Sequence, residues 1–215
     1  MYYTIENRTD DEVGHVFPQV TCSSLDLAHS ISFDKRSNLD REILFQLAPK
    51  AKLTDVLSQA AISAHGLLIN KKVKYLLSGF KLVQHQFYKC EVRDLKGTSF
   101  EYYWLHLADY SLLNKINYRS SKFYTLEFGF RENDIMLNSY HDYLLKKEQL
   151  GKMQGIGADF VQLNKEFDSS LDLFNIPIFG KGIYAKTSLA EGFLNNRITG
   201  ILLEPAKEIS LPLIG

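Results

Sequence analysis

The chain is short of cysteine, of net charge and of long apolar runs, and each shortage closes off a class of protein. Only Cys22 and Cys90 occur in 215 residues. They stand far apart and outside any C-x-x-C spacing, which argues against a disulfide framework and against a thiolate zinc site. Two isolated thiols fit a reducing compartment. Twenty-five basic residues cancel twenty-five acidic ones, so no global field exists to hold a phosphate backbone by counterion release, and nucleic acid is not an expected partner. No stretch approaches the roughly 20 apolar residues of a membrane-spanning helix. The opening residues Met1–Val13 lack a basic segment followed by an apolar run. The expectation is a soluble, cytoplasmic protein with no membrane partner.

What is present is ordinary globular composition, 45% hydrophobic and 23% charged, with an unusual wealth of rings. Fourteen Phe and twelve Tyr point to a β-rich core more than to a ligand-stacking surface. The length allows one α+β domain or two smaller ones. An irregular, strand-bearing region over 1–52 and a main α+β domain over 53–215 is one division; a single domain over 1–215 is the other.

The most informative stretch is Asn70–Leu107. Val73, Leu76, Leu77 and Phe80 fall at i, i+3, i+4 and i+7, a single helical stripe, with Asn70 as N-cap and Ser78-Gly79 at the end. A β-hairpin follows. Asp94 and Gly97 occupy the first and fourth positions of a type I turn, which favours a three-residue loop with Gly97 at positive φ. That loop sets Tyr88, Cys90 and Val92 opposite Trp104, Tyr102 and Phe100 on one apolar face. The other face carries Phe87, Lys89, Glu91, Arg93, Glu101, Tyr103 and Leu105, and places Glu91 against Glu101. A two-residue loop at Lys96-Gly97 avoids that like-charge pair but moves Glu101 onto the apolar face.

Strands are expected over Tyr2–Asn7, within 41–47, at 115–118, over 122–130, around Phe160–Leu163, over 171–179, at Ile183–Ala185 and over Thr199–Leu203. Residues 14–38 read as irregular with one short strand. Thr54 and Asp55 ahead of Val56, Leu57, Ala60 and Ala61 read as a capped helix, followed by an apolar connector at Leu67–Ile69. Residues 134–147 are ambiguous: Ile135-Met136-Leu137 suits a strand, and Tyr140, Tyr143, Leu144 and Lys147 suit a helix. Gly155 and Gly157 mark a turn. Near the C-terminus, Ser188 and Glu191 have the spacing of a capping box, with Leu189, Phe193 and Leu194 as the buried stripe of a helix. The fold class expected is α+β: an antiparallel sheet with a central aromatic hairpin, flanking short helices and a C-terminal strand-helix-strand unit.

No catalytic constellation is legible. His15, His29, His65, His85, His106 and His141 lack the H-x-x-H, H-x-x-x-H and H-E-x-x-H spacings of metal sites. His85 and His106 point to opposite faces of the hairpin. Cys90 lies on its apolar face, as an inert packed thiol rather than a nucleophile. Catalytic residues, metal ligands and cofactors are therefore expected to be none. Two features suit partner binding instead. Asp10, Asp11 and Glu12 form an acidic loop able to steer or dock a basic partner. Of the consecutive rings Tyr102, Tyr103 and Trp104, alternation turns one outward, and Tyr103 is that one.

The segments Leu53–Gln59, Gly66–Phe80, Phe87–Val92, Tyr102–Leu107 and Gly182–Pro205, in that order, resemble a family of bacterial immunity proteins of polymorphic toxin systems, formerly catalogued as a domain of unknown function. The shared features are a helix ending in Phe80, an aromatic strand pair, and a terminal strand-helix-strand carrying Thr199-Gly200. Where members of the family often cap the second helix with Ser, this chain has Asn70. The resemblance implies a protein that binds and neutralises a cognate toxin without turnover. It brings no catalytic residues and does not name the toxin. The alternative is a hydrolase or transferase whose site is assembled from distant His and Asp or Glu residues.

Overall fold

The computed structural model describes residues 1–31, 36–179 and 182–212. Part of the region expected to be irregular, residues 32–35, lies outside the described residues. In chain order the elements are β1 (Tyr2–Asn7), β2 (Val20–Cys22), α1 (Leu25–Ser30), β3 (Ile43–Leu47), β4 (Val56–Leu57), β5 (Gly66–Asn70), α2 (Lys71–Leu77), β6 (His85–Arg93) and β7 (Ser99–Leu107). They continue with β8 (Lys122–Glu127), β9 (Phe130–Ile135), α3 (Tyr140–Gln149), β10 (Gln154–Gln162), β11 (Leu173–Asn175), β12 (Ile183–Lys186), α4 (Thr187–Asn195), β13 (Ile201–Pro205) and β14 (Ile209–Ser210). The chain is α+β, with several antiparallel pairings and short helices. The fold differs from a single antiparallel sheet, because β3–β6 and β10–β14 run parallel.

Two compact units result. The first comprises Met1–Asp109, Leu171–Asn175 and Ile183–Pro205; the second comprises Tyr110–Ser170, Ile176–Gly182 and Ala206–Gly215. Residue 52 is not a boundary within the first unit, since β2 and β3 belong to the same sheet as β6 and β7.

That sheet has the order β2-β3-β6-β7-β5-β4. The hairpin β6–β7 is its centre, and its register is the one the turn chemistry predicts: Tyr88↔Trp104, Cys90↔Tyr102 and Val92↔Phe100. Gly97 has φ +86, and the Asp94 carboxylate accepts the backbone N–H of Lys96 and Thr98 at 2.9 and 2.8 Å. Glu91 does face Glu101. The pair is tolerated because each has its own donor: Arg93 and Ser99 for Glu91, the Tyr103 hydroxyl for Glu101. Ile43 and Phe45 of β3 and Leu68 of β5 extend the apolar face, and Leu27, Ala28 and Ile31 join its core cluster.

Asn70 caps α2 as expected, its side chain accepting from Val73 N at 3.1 Å. Val73 and Leu77 are buried, and α2 lies against β5 and β7. Leu67–Ile69, expected as a connector, is β5. The expected helix from Thr54 does not form. The Thr54 hydroxyl donates to Val56 O at 2.6 Å, and Asp55 serves partners 144 residues away. Its carboxylate accepts from Thr199 N and Thr199 Oγ1 at 3.0 and 3.1 Å, from Lys72 Nζ at 3.0 Å and from Asn70 Nδ2 at 2.8 Å. Gly200 follows at φ +90, with Val56 O only 2.0 Å from where a Cβ would stand.

The second sheet of this unit, β11-β12-β1-β13, is antiparallel throughout. The strand-helix-strand β12-α4-β13 is present, but β1 lies between its two strands. On one face Tyr2 meets Phe174 edge-to-face and Phe174 stacks on Tyr184, with ring centroids 5.0 and 5.4 Å apart. The capping box is absent. Lys186 stands at the N-cap and its side chain makes no capping hydrogen bond, and the Ser188 hydroxyl donates to Asp172 at 2.7 Å. The strand expected over 171–179 is confined to β11, with a 3-10 turn at Pro177–Phe179.

In the second unit the sheet order is β14-β10-β8-β9. Tyr118, Phe123 and Tyr143 form buried ring contacts at 5.4 and 6.2 Å. The strand expected at 115–118 is replaced by 3-10 turns, Tyr110–Lys115 and Tyr118–Ser120. Gly155 and Gly157 lie inside β10, where Gly157 makes room for the Tyr124 ring, 2.5 Å from its hypothetical Cβ. Arg131 covers the same ring at 4.5 Å and pairs with Asp134 and Asp159. These charges and a register shift in β9 blunt the outer edge of the sheet. Residues 134–147, ambiguous in the sequence, divide between the two: β9 ends at Ile135, and Ser139 caps α3.

Candidate functional site

The acidic loop leaves β1 at Asn7 and is held mainly by its own residues. Arg8 donates Nε to Asp10 Oδ2 at 2.8 Å and also Nη2 to the same oxygen. Asp10 Oδ1 accepts the Glu12 N–H at 3.1 Å, while Asp10 O accepts the N–H of Val13 and His15. The Arg8 guanidinium, above all, holds the Asp10 carboxyl below its ordinary range. Glu12 Oε1 accepts the N–H of Gly200 at 2.8 Å, tying the loop to the start of β13.

The three expected partner-binding carboxylates therefore have unequal positions. Asp10 and Glu12 are half-buried and engaged in holding the loop. Asp11 is 94% exposed and meets His15 Nε2 at 2.9 Å. Gly14 completes the loop at φ +83, where any Cβ would collide with Lys50 O.

Tyr103 lies on the face of the six-stranded sheet opposite Tyr102 and Trp104. It is half-buried rather than freely exposed. Lys74 Nζ from α2 stands 3.5 Å above its ring. Its hydroxyl donates to Glu101 Oε1 at 2.6 Å, which pushes the phenol up to about 12. Lys89 crosses the same face to Glu42 at 2.5 Å. The result is a mixed-charge surface with Phe87 and Tyr103 between its ions, and α2 covers only one end.

One feature had no signal in the sequence: a groove between α4 and the β1–β13 pair, with a volume of about 260 Å³. Tyr3, Ala190, Phe193, Ile198 and Leu203 line it. Leu194, expected in the buried stripe of α4, is 67% exposed at this groove, and Leu202 is 40% exposed. Arg8 and Glu191 are its charged lining residues. The ion-paired start of the acidic loop is thus one wall of the groove.

Among the described residues no group of three His, Cys, Asp or Glu side chains is placed to hold a metal ion. His106 is buried and stacks on Tyr88 at 6.0 Å, and the His85 ring approaches Val83 O at 2.9 Å. Burial pushes the Cys90 thiol far up, away from the thiolate a nucleophile requires. No helix among the described residues is long and apolar enough to cross a membrane. No protein-family model matches the chain, and no curated protein matches it.

Proposed function

We propose that the chain is a non-catalytic binding protein of the cytoplasm, an immunity protein that occupies a cognate bacterial toxin and neutralises it. One observation carries this reading: the acidic loop is pre-organised, with Asp10 and Glu12 spent on its own geometry and Asp11 displayed to solvent. A loop already fixed in one conformation loses little entropy on docking, so its exposed carboxylate contributes to affinity and to electrostatic steering of a basic partner. The ordered segments from Leu53 to Pro205 that resemble immunity proteins support the same reading. Tyr103, under Lys74, supplies a second and separate contact face.

The test is co-expression with the product of the adjacent open reading frame. That product alone should arrest growth, and this chain should restore it through a complex of fixed stoichiometry. A neighbour that is harmless alone, or toxicity that persists in the presence of this chain, overturns the proposal. Within the complex, Asp11→Ala should lower the association rate severalfold at low salt and leave the melting temperature unchanged.

A further inference from the structure

We infer that the acidic loop is a strap across the seam of a closed barrel, and that loop and seam open together as one cooperative unit. Its bearing on partner binding rests on the reading above, while the strap itself is tested without a partner. The seam begins with Gln19. A glutamine is ordinarily a surface residue, yet this one is fully buried. Burial of an amide is tolerated only when its polar atoms are paired. Its Nε2 donates to Lys52 O at 2.8 Å and to Thr54 Oγ1 at 3.1 Å, its Oε1 accepts the Ser58 N–H at 3.1 Å, and its own backbone N–H donates to Ser58 Oγ at 2.9 Å. All these partners lie between residues 52 and 58, around β4. β2 and β4 are the two outer strands of the six-stranded sheet. Val20 bridges Gln59, and its N–H donates to Ser58 O at 3.2 Å. The sheet therefore closes on itself, and Gln19 is its latch.

The same short segment carries the acidic loop. The Lys52 N–H donates to Val13 O at 3.1 Å, and Lys52 Nζ donates to Asp11 O at 2.6 Å. At the loop's other attachment Glu12 holds Gly200, next to Thr199, whose N–H and hydroxyl return to Asp55. Segment 52–58 thus meets the seam with one set of hydrogen bonds and the loop with another, so a movement that breaks one set breaks the other. Its strand is sparsely paired as well: β4 meets β5 at Val56↔Ile69 and Leu57↔Leu68, whereas β6 and β7 pair along their whole length. Openings of lowest free energy start in such stretches. A partner that grips Asp11 consequently holds the seam shut at residues it does not touch.

The test is native-state hydrogen exchange of the whole protein, read amide by amide by NMR in rising urea. His15 in the loop, Val20 and Ser58 in the seam, and Gly200 should merge on one opening free energy and one urea slope, both below those of the β6–β7 amides. Glu12→Ala supplies the second arm, since Glu12 bonds Gly200 and Arg8, outside the seam. If loop and seam open together, this variant speeds exchange at Val20 and Ser58 about tenfold, matching His15, as loss of one hydrogen bond to a charged group implies. If they open separately, His15 alone quickens. Separate opening energies in the wild type, or a seam indifferent to Glu12→Ala, overturns the inference. No toxin enters this experiment, so its outcome and that of co-expression are independent. Protection with separate opening removes the strap and leaves the immunity reading; coupled opening without protection does the reverse.

Discussion

Replacing Asp55 by alanine removes a carboxylate that joins residues 54–57 to the start of β13. The side chain is 13% exposed and accepts four hydrogen bonds, from Asn70, Lys72 and twice from Thr199. Hydrogen bonds to a charged group contribute about 1.5–3 kcal/mol each when isolated, but they share one carboxylate here and are not additive. Breaking such a partly buried cluster costs about 3 kcal/mol, or a melting temperature lower by about 6–12 °C in a chain of this size. Burial raises the Asp55 carboxyl, but the bonds from Thr199, Lys72 and Asn70 outweigh it and leave the group below its ordinary value of 3.8. A carboxyl depressed on folding stabilises the protein above its unfolded pKa, and that stabilisation is lost as pH falls through the folded one. The gap between wild type and Asp55→Ala, measured by urea unfolding, should therefore be constant above about pH 5 and close below about pH 4. A gap under about 0.5 kcal/mol at pH 7, or one that does not change down to pH 3, refutes the assignment.

Glycines at positive φ should respond according to their surroundings. Gly200→Ala places Cβ 2.0 Å from Val56 O and should cost about 3 kcal/mol or more in urea unfolding, whereas Gly97→Ala meets open space and should cost about 1 kcal/mol. Cys22, half-buried, should react with a disulfide reagent in the native state, and Cys90, 0% exposed, only on unfolding; equal rates would contradict the burial assigned to Cys90. Glu101→Ala removes the acceptor that raises Tyr103, so ultraviolet titration should show one tyrosine moving down toward the ordinary value near 10. An unchanged titration curve would mean the hydroxyl has another partner.

Local chemistry made the hairpin legible, because Asp94, Gly97 and the alternation of Tyr88, Cys90 and Val92 all specify one register within twenty residues. Asn70 and the buried pair Val73 and Leu77 of α2 were legible for the same reason, although the helix ends at Leu77 and leaves Phe80 of the expected stripe beyond it, half-buried. What escaped depended on distant partners. Thr54 and Asp55 have the composition of a helix start, but Thr199 claims the carboxylate that a cap would have used. Ser188 likewise donates to Asp172 instead of capping α4. Gly157 has the composition of a turn but serves as a seat for Tyr124. For the site, the acidity of residues 10–12 was visible at once, and Arg8 two positions earlier was an available signal that Asp10 would be occupied. The tie from Glu12 to Gly200 and the exposure of Leu194 were not, since both follow from where β13 comes to lie.

The position of β1 between β12 and β13 also sets an order of events. Tyr3 pairs with Ala185 on one side and with Pro205 on the other. At synthesis rates of about 5–20 residues per second, β1 leaves the ribosome roughly ten seconds or more before either neighbour exists. The six-stranded sheet has all its strands by Leu107, whereas the β1 sheet closes only near the end of translation and at the cost of long-range loop closure. The groove and the anchored acidic loop depend on that closure. A chain truncated before β12 would therefore hold every strand of the six-stranded sheet but neither the groove at α4 nor the tie from Glu12 to Gly200.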